Sequence, residues 1–372
     1  MSDRIYFDHV SSTRPHPEVL KTYNDLLNKY YVNSDALYSE GVDLYLLLEK
    51  ARKSIASLLG VDASDLIFTS GASESNNAVI KGLAFADGSR KHLITSAYEH
   101  SSILSCMKQM ERVFGYEVTY LKPGKDGCIA IDDVLKALRE DTLLVSIMQV
   151  NNEMGAVNDI EGIMKAVKEN SKAHTHSDIT QGFCKLPLNT RYLDSFSCSA
   201  HKIHGLKGSG LLYLRHHIPF EPLIIAGQQE AGRRGGTSNA PVDIVLAKTI
   251  RLELENNKKH HQDLTDMMGY LENGLKDIED VTIVSPKDHI PNLITVITPL
   301  TSEVMMNTLD KAGIELSSRS TCGTRSEEPS YTALAMNYPA EHAIRISLDY
   351  NNTKEEIDYL LKTMKESIIK YR

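Results

Sequence analysis

Apolar residues in the stretch 41–59 recur at helical spacing. Leu44, Leu47, Leu48, Ala51, Ile55, Leu58 and Leu59 share one face, and Gly60 suits the cap. Before and after this stretch, short apolar runs alternate with helical patterns. Strands are expected over 65–69, 92–95, 117–121 and 143–148, with helices over 74–83, 101–112, 131–138 and 160–168. Three more strands are expected at 173–176, 195–199 and 209–214. Repeated strand–helix units with apolar strands imply a parallel sheet covered on both faces. The pattern then changes. Residues 241–277 read as one long helix or a pair, followed by shorter strands at 281–284, 293–297, 315–317 and 343–347. Helices are expected near 302–311 and 353–369, the latter opened by a capping box of Thr353 and Glu356. The fold class is therefore α/β: a large domain with a mostly parallel sheet, plus a smaller α+β domain starting near residue 255.

Composition adds exclusions. The chain has 372 residues, 41% hydrophobic and 24% charged, which allows a large core and argues against disorder. No run approaches the roughly 18 apolar residues of a membrane helix. The start, Met1 to His9, lacks the apolar core of a signal peptide. A net charge of −8 gives no general bias toward nucleic acid. The five cysteines, at 106, 128, 184, 198 and 322, are scattered and odd in number. They form no C-x-x-C pair, which argues against a disulfide framework or a Cys-rich zinc site. A reducing, cytoplasmic location is expected.

Sites on open parallel sheets gather beyond the C-terminal strand ends, so the residues there are the first candidates. Ser70-Gly-Ala-Ser73 opens a helix and could cradle an anion, although a capped turn alone explains such a motif. His100 could stack on or protonate a ligand, or be a surface histidine. Asn151 and Asn152 offer hydrogen bonds or a turn. His176 and Asp178 point the same way in a strand. The histidines 174 and 176 lack a third ligand at metal spacing, whereas Asp178 could hold a cationic ring nitrogen. The pairs His216-His217 and His260-His261 are expected to be solvated. Lys202, in Ser-Ala-His-Lys, is a candidate for covalent attachment to a carbonyl. An anion cradle, a stacking ring, an acid and a lysine at successive strand ends are together what pyridoxal phosphate needs. The stretch 317–329 contains no large aliphatic or aromatic side chain and carries Cys322 between Arg319 and Arg325. Flanking cations favour a thiolate nucleophile over an incidental surface cysteine.

In order along the chain stand Tyr6-Phe-Asp8, Phe68 to Ser75, Glu99-His100, Val150 to Gly155, His176 to Gln181, and Ser197 to Lys202 followed by Gly205 to Gly208. Arg234 to Thr237, Ser317 to Ser330, and Ile344 to Leu348 complete the series. With these nine stretches the chain resembles the cysteine desulfurases, pyridoxal-phosphate enzymes of the type I aminotransferase fold. The resemblance implies a cofactor-binding domain over 15–255 and a small domain made of 1–14 and 256–372. It implies that Lys202 holds the cofactor covalently and that Asp178 pairs with the pyridinium nitrogen. His100 would stack on the ring and join in catalysis. Gln181 and Asn152 would bond the ring hydroxyl side and the substrate. Ala72, Ser73, Ser199 and His201 would hold the phosphate, with Thr237 reaching the phosphate of the other subunit of a homodimer. Arg345 and Asn33 would bind the carboxylate of L-cysteine, and Cys322 would accept its sulfur.

The implied partner is a sulfur-acceptor protein, an iron–sulfur scaffold or a tRNA-thiolating enzyme, with no nucleic acid or membrane partner. The sequence departs from the family pattern at Tyr38, where a histidine is usual. It also departs at Ala200, where glycine is usual, and at Arg319 and Gly323 beside the nucleophile. Alternatives on the same fold are a selenocysteine lyase or a cysteine-sulfinate desulfinase, which depend less on a loop thiol. A catalytically quiet scaffold paralogue is the alternative from another class.

Overall fold

The computed structural model describes residues 4–318 and 330–372. The first half contains β1 (Ile5–Tyr6), α1 (Pro17–Lys29), α2 (Ser39–Leu59), β2 (Leu66–Thr69), α3 (Ala72–Asp87), β3 (His92–Ser96), α4 (Ser101–Phe114), β4 (Glu117–Leu121), α5 (Ile131–Ala137), β5 (Thr142–Ser146) and α6 (Ile160–Asn170). Then come β6 (His174–Asp178), β7 (Ser195–Ser199), β8 (Gly210–Leu214), α7 (Ala240–Lys276), β9 (Thr282–Ile283), β10 (Leu293–Ile297), α8 (Ser302–Lys311), β11 (Ile314–Glu315), α9 (Tyr331–Met336), β12 (Ala343–Ser347) and α10 (Lys354–Tyr371).

Seven strands form the main sheet in the order β2-β8-β7-β6-β5-β3-β4. The pairs among β7, β6, β5, β3 and β4 are parallel, whereas β8 runs antiparallel to both β2 and β7. The mostly parallel α/β sheet expected from the apolar runs is present. Apolar residues of α3 and α4 (Val79, Leu83, Ile103, Met107) pack on one part of it, with α2 and the start of α7 on another. A second sheet, β12-β10-β9, is antiparallel and packs with Phe7, α8, α10 and the end of α7.

Several boundaries differ from the sequence expectations. The stretch 241–277 is one helix of 37 residues, about 55 Å long at 1.5 Å per residue. Its first turns bury Val245, Leu246 and Ile250 beside α2, and its last turns bury Leu264, Met268 and Leu271 in the other core. The strand expected at 281–284 shrinks to two residues, and that expected at 315–317 becomes a two-residue strand at 314–315 with an isolated bridge at Ser317. The strand expected at 173–176 runs over 174–178, with Asp178 as its last residue, as the pairing of His176 and Asp178 on one side of a strand requires. Helix α1 was not anticipated. Only Val19 on it is fully buried, so its apolar stripe is thin; its start is marked instead by Pro17 and a cap from His16. The capping box at Thr353 and the left-handed Gly60 are both present.

Candidate active site

In a parallel array all C-terminal strand ends share one edge. Here that edge collects the residues after β2, β3, β5, β6 and β7. A cleft with about 730 Å³ of space between its walls opens there, lined by Val10, Ser11, Ala72, Ser73, His100, Asn152, Asp178, Gln181, Ser199, His201, Lys202 and Arg345 among others. Ten of the sequence-selected residues thus meet in one place.

The anion cradle is built by close approach. Gly210 of β8 lies opposite both Thr69 and Ser199 in the register. A Cβ at Gly210 would stand 2.4 Å from the Cα of Gly71, so only glycine lets the start of α3 approach β8. The Ala72 N–H then donates to Ser199 Oγ at 2.8 Å. Gly71 (φ 148°) precedes the first turn of α3, whose N–H groups and positive dipole end face the cleft side. His201 follows Ser199. Burial and the nearby Lys202, Lys207 and His100 hold its pKa down at about 4, so it is neutral at neutral pH.

Lys202 ends a short turn after β7. Its Nζ donates to the carbonyls of Val10 and, at 2.7 Å, Ser11. Asp178 is buried at the end of β6. Its Oδ1 accepts from the Thr180 N–H at 3.0 Å and its Oδ2 from Asn76 Nδ2 at 2.8 Å. His100 caps α4, with Nδ1 accepting from the Ser102 N–H at 3.2 Å. Glu99, beside it, is fully buried, and its Oε1 accepts from Ser96 Oγ at 2.6 Å and Met148 N–H at 2.8 Å. Burial pushes its pKa to about 8 against those hydrogen bonds, so it carries a proton at neutral pH and pins the His100 loop to the end of β5.

Gln181 donates from Nε2 to the Val10 carbonyl at 3.1 Å, while its buried Oε1 has no partner among the described residues. Asn151 makes the turn, its Oδ1 accepting from the N–H groups of Glu153 and Met154, and Asn152 lines the cleft. Both readings of the paired asparagines therefore apply, one to each. Arg345, on β12, is 2% exposed. Its guanidinium donates to Asp8 Oδ1 (2.8 Å), Ser11 Oγ (2.6 Å) and the Asn152 carbonyl (2.9 Å), and its Nε has no partner among the described residues.

Two selected residues lie elsewhere in the chain. Asn33 is exposed ahead of α2, with Oδ1 accepting from the Asp35 N–H. Thr237 lines a separate recess with Ser70, Gly208, Arg234 and Asp243. Cys322, with Arg319 and Gly323, falls outside the described residues. The described residues flanking that stretch are placed at the site: Ser317 pairs with Arg345, and Ser330 donates to Glu153, next to Asn152. The other four cysteines are poor nucleophiles. Cys106, Cys184 and Cys198 are buried. Burial pushes the thiol pKa of all four upward, Cys106 to about 11.

The sequence reading does not single out Asn76 and marks His176 only as a weak metal candidate beside Asp178; both are fully buried behind Asp178. A signal existed. Asn76 is a polar residue on the face that continues as Val79, Ile80 and Leu83. His260 also departs from expectation: its ring stacks on Tyr350 at 3.7 Å rather than standing in solvent.

The model of a protein family described as Aminotransferase class-V matches residues 5–360. The fold and the site thus define a class-V aminotransferase, and the chain belongs to that family. The Dictyoglomus turgidum protein named "Cysteine desulfurase IscS" is 36% identical, over 100% of this chain and 96% of the relative. A solved structure titled "NIFS-LIKE PROTEIN" superposes with a TM-score of 0.92 at 33% identity, covering 99% of this chain and 100% of that one. Another, titled "SspA in complex with cysteine", has a TM-score of 0.83 at 31% identity over 94% of this chain and 100% of that one. Within the class-V family the chain belongs to the cysteine desulfurases, which are pyridoxal-phosphate-dependent enzymes.

The residues present fit that cofactor. The helix start with Ser199 suits a phosphate. The ionised carboxylate of an aspartate accepts from a protonated ring nitrogen, and Lys202 supplies the amine. The unpartnered Oε1 of Gln181 leaves a buried acceptor for a ring substituent.

Proposed function

We propose that this cysteine desulfurase converts L-cysteine to L-alanine at the Lys202 cleft and carries the sulfur on Cys322. The observation that carries the proposal is the meeting of Lys202, Asp178, His100 and the α3 cradle in one cleft. When bound, pyridoxal phosphate supplies an electron-accepting ring that carries the charge left as a proton departs from the amino-acid Cα. Lys202 holds the cofactor and moves that proton. Asp178 keeps the ring nitrogen protonated by favouring its charged form. His100 stacks on the ring. Ala72, Ser73, Ser199 and His201 hold the phosphate, with Thr237 reaching that of a second subunit. Arg345, through its remaining N–H, and Asn33 and Asn152 orient the substrate.

The Cys322 thiolate then attacks the substrate sulfur. A bond forms between the two sulfurs and the Cβ–S bond breaks. Protonation of the remaining three-carbon unit gives alanine, with a persulfide left on Cys322. No external oxidant is needed. The raised thiol pKa of the four described cysteines and the anchoring of Ser317 and Ser330 at the site support Cys322 in this role. The proposal includes the cofactor-binding domain at 15–255 and the small domain at 1–14 and 256–372, supported by the packing of Phe7 against Leu271 and its neighbours. It also includes a homodimer, a cytoplasmic location, and delivery of sulfur to an acceptor protein, an iron–sulfur scaffold or a tRNA-thiolating enzyme.

The test is to measure alanine release from L-cysteine and the visible absorbance of the purified protein. Wild type should be yellow and active, whereas Lys202→Ala should lose both the covalently held cofactor's absorbance and alanine formation. Turnover by Lys202→Ala at the wild-type rate would sink the proposal.

A further inference from the structure

We propose that Asn76 is the positioning residue of this site, fixing the Asp178 carboxylate and the tautomer of His100 through one side-chain amide. The proposal rests on the assignment of Asp178 and His100 to the cofactor made above. Asn76 lies on α3 and is fully buried. Its Nδ2 donates to Asp178 Oδ2 at 2.8 Å and to Ser102 Oγ at 2.9 Å. Its Oδ1 faces His176 Nε2 at 3.1 Å and accepts from Ser197 Oγ. Four side chains from three other elements, α4, β6 and β7, therefore meet on one amide.

The directions of these bonds follow from chemistry. An ionised carboxylate only accepts, so the amide nitrogen must face Asp178 and the oxygen must face His176. His176 then donates from Nε2 and accepts at Nδ1 from Ser195 Oγ, 2.9 Å away. Burial holds its pKa well below the usual histidine range, consistent with a neutral ring. On the other side, Ser102 Oγ accepts from Asn76, which leaves its hydroxyl hydrogen for His100 Nδ1 at 2.9 Å. The Ser102 N–H also points at that nitrogen. With two donors on Nδ1, a neutral His100 carries its proton on Nε2. Asn76 thus ties the group beneath the ring nitrogen to the group that stacks on the ring.

Replacing the amide by a carboxylate of similar size inverts the arrangement. In Asn76→Asp a second acceptor would face Asp178, and like charges at this distance raise the pKa of the pair. Ser102 would turn its hydroxyl toward residue 76 and leave His100 Nδ1 with the backbone N–H alone.

The test uses holoenzyme and reads cofactor affinity against pH together with the ¹⁵N-histidine NMR spectrum. His100 is assigned by the signal lost in His100→Gln. In wild type, His100 should show the Nε2–H tautomer. Asn76→Asp should bind cofactor on the order of ten- to hundredfold more weakly, the scale seen when partners that orient a site's ligands are removed. The acid limb of its cofactor binding should also move to higher pH. Asn76→Ala should weaken binding without that shift, since it adds no charge. Ser102→Ala removes one of the two donors on His100 Nδ1 and should lower the Nε2–H fraction of His100. If Asn76→Asp does not fold, the wild-type tautomer and Asn76→Ala still decide. An Nδ1–H tautomer in wild type overturns the proposal. So does wild-type affinity in both Asn76 variants while Asp178→Ala binds cofactor poorly. Unchanged affinity in Asp178→Ala would instead remove the site assignment on which the proposal rests.

Discussion

At the scale of single residues, the site depends on small side chains as much as on charged ones. Gly210 illustrates this. Its missing Cβ lets β8 touch the backbone before α3, and Ser199 then meets Ala72. Gly210→Ala should push the start of α3 away from Ser199. Overpacking of this kind destabilises by about 1–3 kcal/mol, read as a drop in the thermal midpoint together with weaker phosphate and cofactor binding by titration. A variant with wild-type stability and affinity would show the close approach to be dispensable. The charged residues were the more legible part of the site. Lys202, Asp178 and His100 stand at strand ends, and the strand pattern alone brings such positions together. Asn76 stands on the apolar face of α3, which marks it as buried, but its four partners come from distant segments, so the sequence does not show what it holds. The engagement of Arg345 with Asp8 was likewise out of reach, since it joins residues 337 positions apart.

At the scale of elements, long periodic segments were readable and short ones were not. The 37-residue α7 and the five parallel strands of the main sheet followed from apolar spacing, whereas for β9 and β11, two residues each, the sequence found the place but not the bounds. Three elements are tied together by His204, which follows β7. Its Nδ1 meets Glu253 on α7 at 2.9 Å, and its Nε2 meets Asp349 after β12 at 2.7 Å. Burial alone would lower its pKa, but the two carboxylates outweigh this and raise it from 6.5 to about 9. The same pairing holds Asp349 down at about 2. Tyr350, His9 and His260 also face this cluster. A histidine whose folded pKa is raised contributes stability that is complete below pH 6.5 and lost as pH rises through about 9. The stability gap between wild type and His204→Gln should therefore be widest near pH 6 and close toward pH 9.5 in denaturant titrations (both limits about half a unit outside the titration range). A gap that stays constant across that range would show that His204 acts only by packing.

At the scale of the whole molecule, a group of exposed apolar side chains stands before and along the start of α2. Tyr31 and Leu37 are each 95% exposed and Ile225 81%, with Tyr38, Val42, Tyr45 and Leu46 also outside the core. Leu37, Val42 and Tyr45 line a groove with Gln229 and Ala231. Clustered apolar exposure of this kind marks a protein–protein surface. It supports the proposed homodimer, in which Thr237 would serve a neighbouring site rather than its own cleft. Sedimentation at assay concentration should give about twice the 41.5 kDa chain mass, and Leu37→Glu should shift the protein toward monomer with loss of cofactor. A fully active monomer would contradict the shared site. Among the described residues no helix is long and apolar enough to cross a membrane.

The central claim, that sulfur leaves cysteine at this cleft and is held on Cys322, is tested most directly by mapping the sulfur itself. Wild-type protein is exposed briefly to L-cysteine without reductant, blocked with an alkylating reagent, digested and weighed by mass spectrometry. One additional sulfur should appear on the peptide that contains Cys322, and none should appear in Lys202→Ala. Cys322→Ala should still bind cofactor and should release neither alanine nor sulfide. An extra sulfur on Cys106, Cys128, Cys184 or Cys198, or alanine and sulfide formed by Cys322→Ala at the wild-type rate, would contradict the account.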